Sequence, residues 1–180
     1  MHFDGRLFGQ SVYLRNIEMT DCNEKYHCWL NDPDVNRFLE TRLSDQSIKS
    51  IIEFVASRIE SNDSYLFAIV EGTTENHIGN IKIGPINRYH SFADVSYFIG
   101  AKECWGKGFA TEAITLATRF GFDRLGLYKC VAGVYGSNKA SIRALEKAGY
   151  QLEGRLRKKV VNYLGQREDH LYYGIENGAL

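Results

Sequence analysis

Proline is nearly missing from this chain, two residues in 180, and cysteine is limited to four. With so little proline and no low-complexity tract, nothing reads as a linker, so one continuous domain over 1–180 is expected. Cys22, Cys28, Cys104 and Cys130 make no metal-ligand spacing and are too few for a disulfide scaffold. Reduced thiols in a cytoplasmic protein, without a metal, is the reading they support. Neither charge sign is in excess, with 22 Lys+Arg against 22 Asp+Glu. That balance argues against a nucleic-acid binder, which would carry a basic surplus. No apolar run approaches the roughly 20 residues of a membrane span, and Met1 to Arg6 offers no signal-peptide core.

Two common nucleotide motifs are also absent. A P-loop needs a Gly-Lys pair followed directly by Ser or Thr, and here Lys107 lies between two glycines. A dinucleotide fingerprint needs a third glycine where Thr111 stands.

What is present centres on Trp105-Gly106-Lys107-Gly108-Phe109-Ala110-Thr111-Glu112. A strand-like run, Val95-Ser96-Tyr97-Phe98-Ile99, leads in, and a helix-like run from Thr111 to about Arg124 leads out. The glycines allow a tight turn and close approach of a bound group. The helix start turns free N–H groups and its positive dipole end on that turn, which suits a pyrophosphate.

Trp105-Gly106-Lys107-Gly108-Phe109-Ala110 resembles the Gln/Arg-x-x-Gly-x-Gly/Ala loop of the GNAT acetyltransferases, with Trp105 in place of the usual Gln or Arg. Thr111-Glu112-Ala113 is similar to the branch containing ribosomal-protein N-terminal acetyltransferases and amino-sugar acetyltransferases. Asn138-Lys139-Ala140-Ser141 with Leu145-Glu146-Lys147-Ala148-Gly149-Tyr150 resembles that branch's second signature. Glu153-Gly154-x-Leu156-Arg157 and Gly165-x-x-x-Asp169 resemble its close. The resemblance spans about residues 10–175.

Hydrophobic periodicity and turn residues predict strands at 11–17, 65–70, 77–86, 93–99, 129–135, 150–161 and 168–175. Helices are predicted from Thr20 or Asp21 to Leu30, from Ser44-Asp45 to about Ser61, at the cradle, and over 139–148. The order makes an α/β layered domain. By resemblance it is the GNAT fold: a mixed, mostly antiparallel sheet of about six or seven strands with helices on both faces.

Acetyl transfer to an amine needs a held donor, a neutral amine, a stabilised oxyanion and a proton for the leaving thiolate. The resemblance implies acetyl-CoA, with Gly106, Lys107, Gly108, Phe109, Ala110 and Thr111 at the pyrophosphate. It also implies that Phe98, Ile99 and Gly100 pair with the pantetheine arm and that Asn138 contacts it. Ser141, one helical turn from Asn138, is the proposed acid, with Tyr135 its rival. In isolation, Asn138 would read as a helix cap and Gly-x-Gly as a plain bend.

For the base, Asp94 lies eleven residues before Trp105, where related histone acetyltransferases carry a glutamate. Glu103, Glu112 and Glu153 are alternatives. His90 and His170 titrate in a useful range, but a lone histidine is more often a surface or core residue. Glu112 also suits the helix dipole.

The acceptor is expected to be a small-molecule amine such as an amino sugar or sugar nucleotide. A peptide N-terminus is the alternative, and an inactive acyl-CoA-binding sensor the third reading. Trp29, Phe38, Glu40, Arg88 and His90 are the expected acceptor residues, joined by Arg42 and Tyr89. Trp29 could equally be core. A homodimer is compatible with this reading.

Overall fold

A computed structural model describes residues 3–179, so the domain expected over 1–180 extends just past them at both ends. Its strands are β1 Arg6–Phe8, β2 Val12–Asn16, β3 Tyr65–Glu71, β4 His77–Asn87, β5 Phe92–Ile99, β6 Lys129–Tyr135, β7 Gln151–Val161 and β8 Arg167–Glu176. Its helices are α1 Glu24–Asn31, α2 Pro33–Asn36, α3 Ile48–Ile59, α4 Phe109–Leu125 and α5 Lys139–Lys147. The strands form one sheet in the order β1-β2-β3-β4-β5-β6-β8-β7.

Neighbouring strands are antiparallel except β5 and β6, whose only ladder partners are Phe92↔Lys129, Ala93↔Cys130 and Asp94↔Val131. Beyond Asp94 the two strands part. The fold expectation holds, with one strand more than the seven predicted. The addition is β1, three residues between Gly5 and Gly9 that are too short to show a period.

Strand alternation sorts the helices. Phe98 packs against Tyr26 and Trp29 of α1, whereas Tyr97, one residue earlier, bonds Ser141 of α5. α1, α2 and α3 therefore cover one face, and α4 and α5 the other. With both faces covered, the central strands are apolar throughout: Leu66 to Val70 of β3 are all buried. Phe67, Leu14, Ile69, Ile81, Ile83 and Ile114 are at most 1% exposed. At the far edge β7 is almost wholly exposed.

Helix starts moved from the predicted ones for capping reasons. Asn23 caps α1 by accepting from the Tyr26 amide, and Met19–Asp21 form a separate 3₁₀ turn. Ser47 caps α3, while Asp45 accepts from Ser47 and Ser50. Among the described residues no helix is long and apolar enough to cross a membrane.

Candidate active site

The turn before α4 is built as the sequence implies. Gly106 and Gly108 have φ of 77° and 87°, a left-handed conformation that glycine adopts without strain. A Cβ added to either would meet nothing within 4 Å, so the space above the turn is open. Gly108 is the N-cap of α4 and no side chain caps it. The first intrahelical bond runs from Glu112 N–H to Gly108 O at 3.1 Å, leaving the amides of Phe109, Ala110 and Thr111 without an intrahelical acceptor. Glu112 turns away from them: its carboxylate accepts from the Gln10 and Ser11 amides and ties the β1–β2 turn to α4. Lys107 keeps its ammonium 5.7 Å from the Phe109 ring centre.

The strand leading to this turn has open backbone groups, and the register says which. Ile99 stands opposite Gly79, and the Gly100 amide bonds Ile78 O at 2.9 Å. In an antiparallel ladder that makes Ile99↔Gly79 a non-hydrogen-bonded pair, so Ile99 and Tyr97 aim their N–H and C=O groups away from β4. They face the gap where β6 has left. The Ile99 carbonyl accepts from the Trp105 indole at 2.8 Å. Phe98 and Gly100 do not fill the expected role, since Phe98 faces β4 and the Gly100 amide is spent on Ile78. Of the three expected residues Ile99 has its amide turned to the gap, and Tyr97, which was not among them, presents its own there.

On the α4–α5 side of the gap, the Ser141 hydroxyl pairs with the Tyr97 hydroxyl at 2.7 Å. Tyr97 also donates to the Ser141 carbonyl at 3.2 Å, and burial pushes its pKa up to about 12. Asn138 caps α5 by accepting from the Ser141 amide at 3.2 Å, which fixes Ser141 in the first turn. Tyr97 was missed in the sequence because it lies inside a strand whose alternation marks it simply as buried.

On the opposite face, a cleft of about 700 Å³ lies between the segment after α2 and the β7–β8 hairpin. Tyr135 lies at its base, donating to Glu40 and accepting from Arg42 at 3.1 Å. Burial, then Glu40, raises the Tyr135 pKa, with Arg42 opposing. Phe38 packs 6.1 Å from the Tyr135 ring and 6.3 Å from Tyr163. His170 stands opposite Tyr135 in the ladder, its ring 6.1 Å from Tyr135 and 4.9 Å from Tyr172. Burial first, then Lys159, lowers the His170 pKa, with Glu40 pulling it back.

Phe38 and Glu40, two of the expected acceptor residues, thus meet Tyr135, joined by Arg42. The other four expected there, Trp29, Arg88, Tyr89 and His90, lie elsewhere, Tyr89 with its neighbours at the exposed β4–β5 turn. Trp29 is 7% exposed and fills the space of a Gly100 side chain, whose Cβ would come 2.1 Å from its ring. Arg88 and His90 sit at the exposed β4–β5 turn, next to the opposite end of β6 from Tyr135. Asp94 is half-buried where β5 and β6 are still bonded. Burial raises its pKa and Lys82 pulls it back.

Open glycines, unspent amides at the start of α4 and unpaired amides along β5 fit a pyrophosphate on an extended, amide-bearing arm. Residues 11–151 match the family described as the acetyltransferase (GNAT) domain. The chain is 34% identical over 179 residues to the probable N-acetyltransferase YjcK of Bacillus subtilis, covering 95% of this chain and 97% of that one. It is 37% identical over 78 residues to the Escherichia coli spermidine N(1)-acetyltransferase, 43% of this chain and 41% of that one. Its fold matches that of the Vibrio cholerae spermidine N-acetyltransferase in complex with CoA and spermine, with TM-score 0.83, 24% identity and coverage of 95% and 98%. The chain belongs to the GNAT acetyltransferases, acyltransferases whose cofactor is acetyl-CoA.

Proposed function

We propose that this enzyme acetylates the primary amine of a small molecule that also carries an anionic group, such as a phosphorylated amino sugar or a sugar nucleotide. The observation that carries the reading is the charge of the cleft's lining, where Arg42, Lys159 and Arg167 outnumber its one carboxylate, Glu40, with Glu168 set behind Asn162. A polycation such as spermidine would be repelled there, whereas a phosphate gains from each cation. Phe38 and Tyr163 offer faces for a sugar ring.

Acetyl-CoA supplies an acyl carbon activated as a thioester. The amides of Phe109, Ala110 and Thr111, with Lys107, hold its pyrophosphate. Tyr97 and Ile99 amides line the gap for the pantetheine arm and for charge that develops on the acyl oxygen. Ser141, backed by Tyr97, gives its proton to the departing sulfur. Tyr135 is engaged with Glu40 and Arg42 on the other face, so it orders the acceptor cleft and leaves the acid role to Ser141.

The test is free-thiol release from acetyl-CoA with glucosamine, glucosamine 6-phosphate, a uridine-diphosphate amino sugar, spermidine and a tripeptide. The anionic amines should be favoured in kcat/KM by about 10-fold or more, one paired charge being worth roughly 1.5–3 kcal/mol. The preference should shrink as salt is added. Preference for spermidine or the peptide would overturn this choice of acceptor.

A further inference from the structure

The transferase reading needs a group that takes a proton from the incoming amine, and that group must stand beside the gap on the cleft face. Asp94 is on that face by alternation but at the closed end, three positions before Tyr97, or about 10 Å along the strand. At the level of Tyr97 and Ser141 a different side chain is present.

Counting along the parallel pair from Asp94↔Val131 brings Tyr97 level with Val134. Val134 lies between Gly133 and Tyr135, and Tyr135 is the ladder partner of His170. The imidazole leans over Gly133: a Cβ there would come 2.8 Å from the ring. A glycine in the middle of β6 is what lets the ring lie against the strand that borders the gap.

His170 Nδ1 is buried and has no hydrogen-bond partner. Among the described residues four buried side-chain polar atoms lack one, and three of them stand behind residues that line this cleft: Arg37 Nε beside Tyr163, Glu168 Oε1 beside Asn162 and His170 Nδ1 beside Tyr135. Arg37 stands 6.0 Å from the Tyr163 ring, and Glu168 accepts from Asn162 at 3.4 Å. Buried polar groups are normally paired, so this concentration points to a ligand that completes them.

We infer that His170 is the general base, taking the proton from the acceptor amine, while Ser141 acts as acid from the other side of the gap. This rests on the acetyl-transfer reading. His170 takes one proton from the ammonium group and frees its lone pair, which forms the C–N bond as the thioester C–S bond breaks. Ser141 gives a proton to the departing sulfur and recovers one through solvent from the newly acylated nitrogen. His170 releases its proton to water. The balance is one amide, one free thiol and one proton. The groups facing the imidazole are Tyr135 from β6, Glu168 and Tyr172 from β8, Lys159 from β7, and Glu40 with Arg42 from the segment after α2. Burial, then Lys159, lowers the pKa of the ring, with Glu40 opposing, which favours the neutral state a base requires.

The test uses His170→Gln and Asp94→Asn, assayed by thiol release with the fastest amine of the panel between pH 5 and 9. Wild-type kcat/KM should fall on acidification below about 6.5, the ordinary histidine range. His170→Gln should lower kcat/KM by about 10²-fold or more and lose that limb, with partial rescue at high pH, while Asp94→Asn keeps the limb. Acetyl-CoA affinity by calorimetry should match wild type in both, which shows that they are folded. A second readout needs no acceptor: imidazole NMR with CoA bound should show one histidine, lost in His170→Gln, titrating below 6.5. Loss of the limb in Asp94→Asn alone, an intact limb in His170→Gln, or a His170 titration above the ordinary range would each overturn the assignment. A wild type silent toward every amine would instead refute the transferase reading itself.

Discussion

The Tyr97–Ser141 pair can be separated from every other contribution by a double-mutant cycle. Ser141→Ala removes the acid and should lower kcat by about 10²- to 10³-fold, equal to at least about 2.7 kcal/mol of barrier. Tyr97→Phe keeps the ring and its packing and removes only the hydroxyl that meets Ser141 at 2.7 Å. One neutral hydrogen bond contributes about 0.5–1.5 kcal/mol, so Tyr97→Phe should cost about 2- to 13-fold in kcat. Neither change leaves a buried orphan. In Ser141→Ala the Tyr97 hydroxyl keeps the Ser141 carbonyl at 3.2 Å, and in Tyr97→Phe the half-buried Ser141 hydroxyl can turn to solvent. Tm should therefore fall by only a few degrees, at about 2–4 °C per kcal/mol for a chain of this size. If Tyr97 acts through Ser141, the double variant should be no slower than Ser141→Ala. The assay is kcat from thiol release at saturating acetyl-CoA, with calorimetry to show that its affinity is unchanged. An additive double variant, slower again by the full Tyr97→Phe factor, would refute the relay.

Other consequences follow from single contacts. Gly108→Val should weaken acetyl-CoA binding at least about 10-fold, because φ of 87° disfavours a β-branched residue by more than about 1–2 kcal/mol. Normal affinity by calorimetry in a folded Gly108→Val variant would remove the cradle assignment. Glu112→Ala should lower stability by about 1 kcal/mol in chemical denaturation, since the Gln10 and Ser11 amides both bond one Glu112 oxygen, an acceptor that alanine removes. Gly133→Ala should lower kcat/KM at least about 10-fold while acetyl-CoA affinity is kept, because the new Cβ displaces the His170 ring, and misplacing a reacting group is costly. Acidification should destabilise the fold in two stages, read from thermal melts between pH 2 and 8. Burial lowers the His77 pKa despite Asn80 and Asp21, so stability falls below about 6.5, where the unfolded histidine takes a proton. Burial would raise the Asp21 pKa, but Arg15, the Glu18 amide and His77 outweigh it and leave it lowered. Its contribution is full above the unfolded value near 3.9 and is lost as pH falls through the folded one. Melts flat from pH 7 to 3 would refute both.

The cradle was legible because it is local. Positive φ at two glycines, a helix start and an incoming strand all lie within about twenty consecutive residues, so spacing alone carried them. The cleft proposed for the acceptor was not, because it is assembled across the sheet. Phe38 and Glu40 come from the segment after α2, Tyr135 from β6 and His170 from β8. Nothing in a sequence read along its length says that positions 135 and 170 stand opposite each other. Trp29 misled for the converse reason. A tryptophan near a site looks like a binding platform, but Gly100 gives its ring a place inside the core. The family resemblance makes that glycine a backbone contact for the arm; in the structure its missing side chain is what seats the indole.

His170 shows how the missing signal could be recovered. Alone it is a histidine in a strand, and its neighbours in sequence say little about it. Gly133 is the informative partner. It interrupts a strand that is otherwise apolar at Val131 and Val134, where glycine weakens the ladder and packs nothing. Two such anomalies, a titratable group on one strand and a gap in side chains on the next, become one feature once the register joins them. The same register lifts His170 to the level of Tyr97 and leaves Asp94 about 10 Å away, at the end of the gap that is hydrogen-bonded shut. In the proposed reaction the acid belongs on the face carrying α4 and α5, where the start of α4 offers its free amides to the donor. The base belongs on the face carrying α1 to α3, where the cleft lies. Ser141 and His170 satisfy both requirements at one height along the gap, and the chemistry assigned to each follows from that alignment.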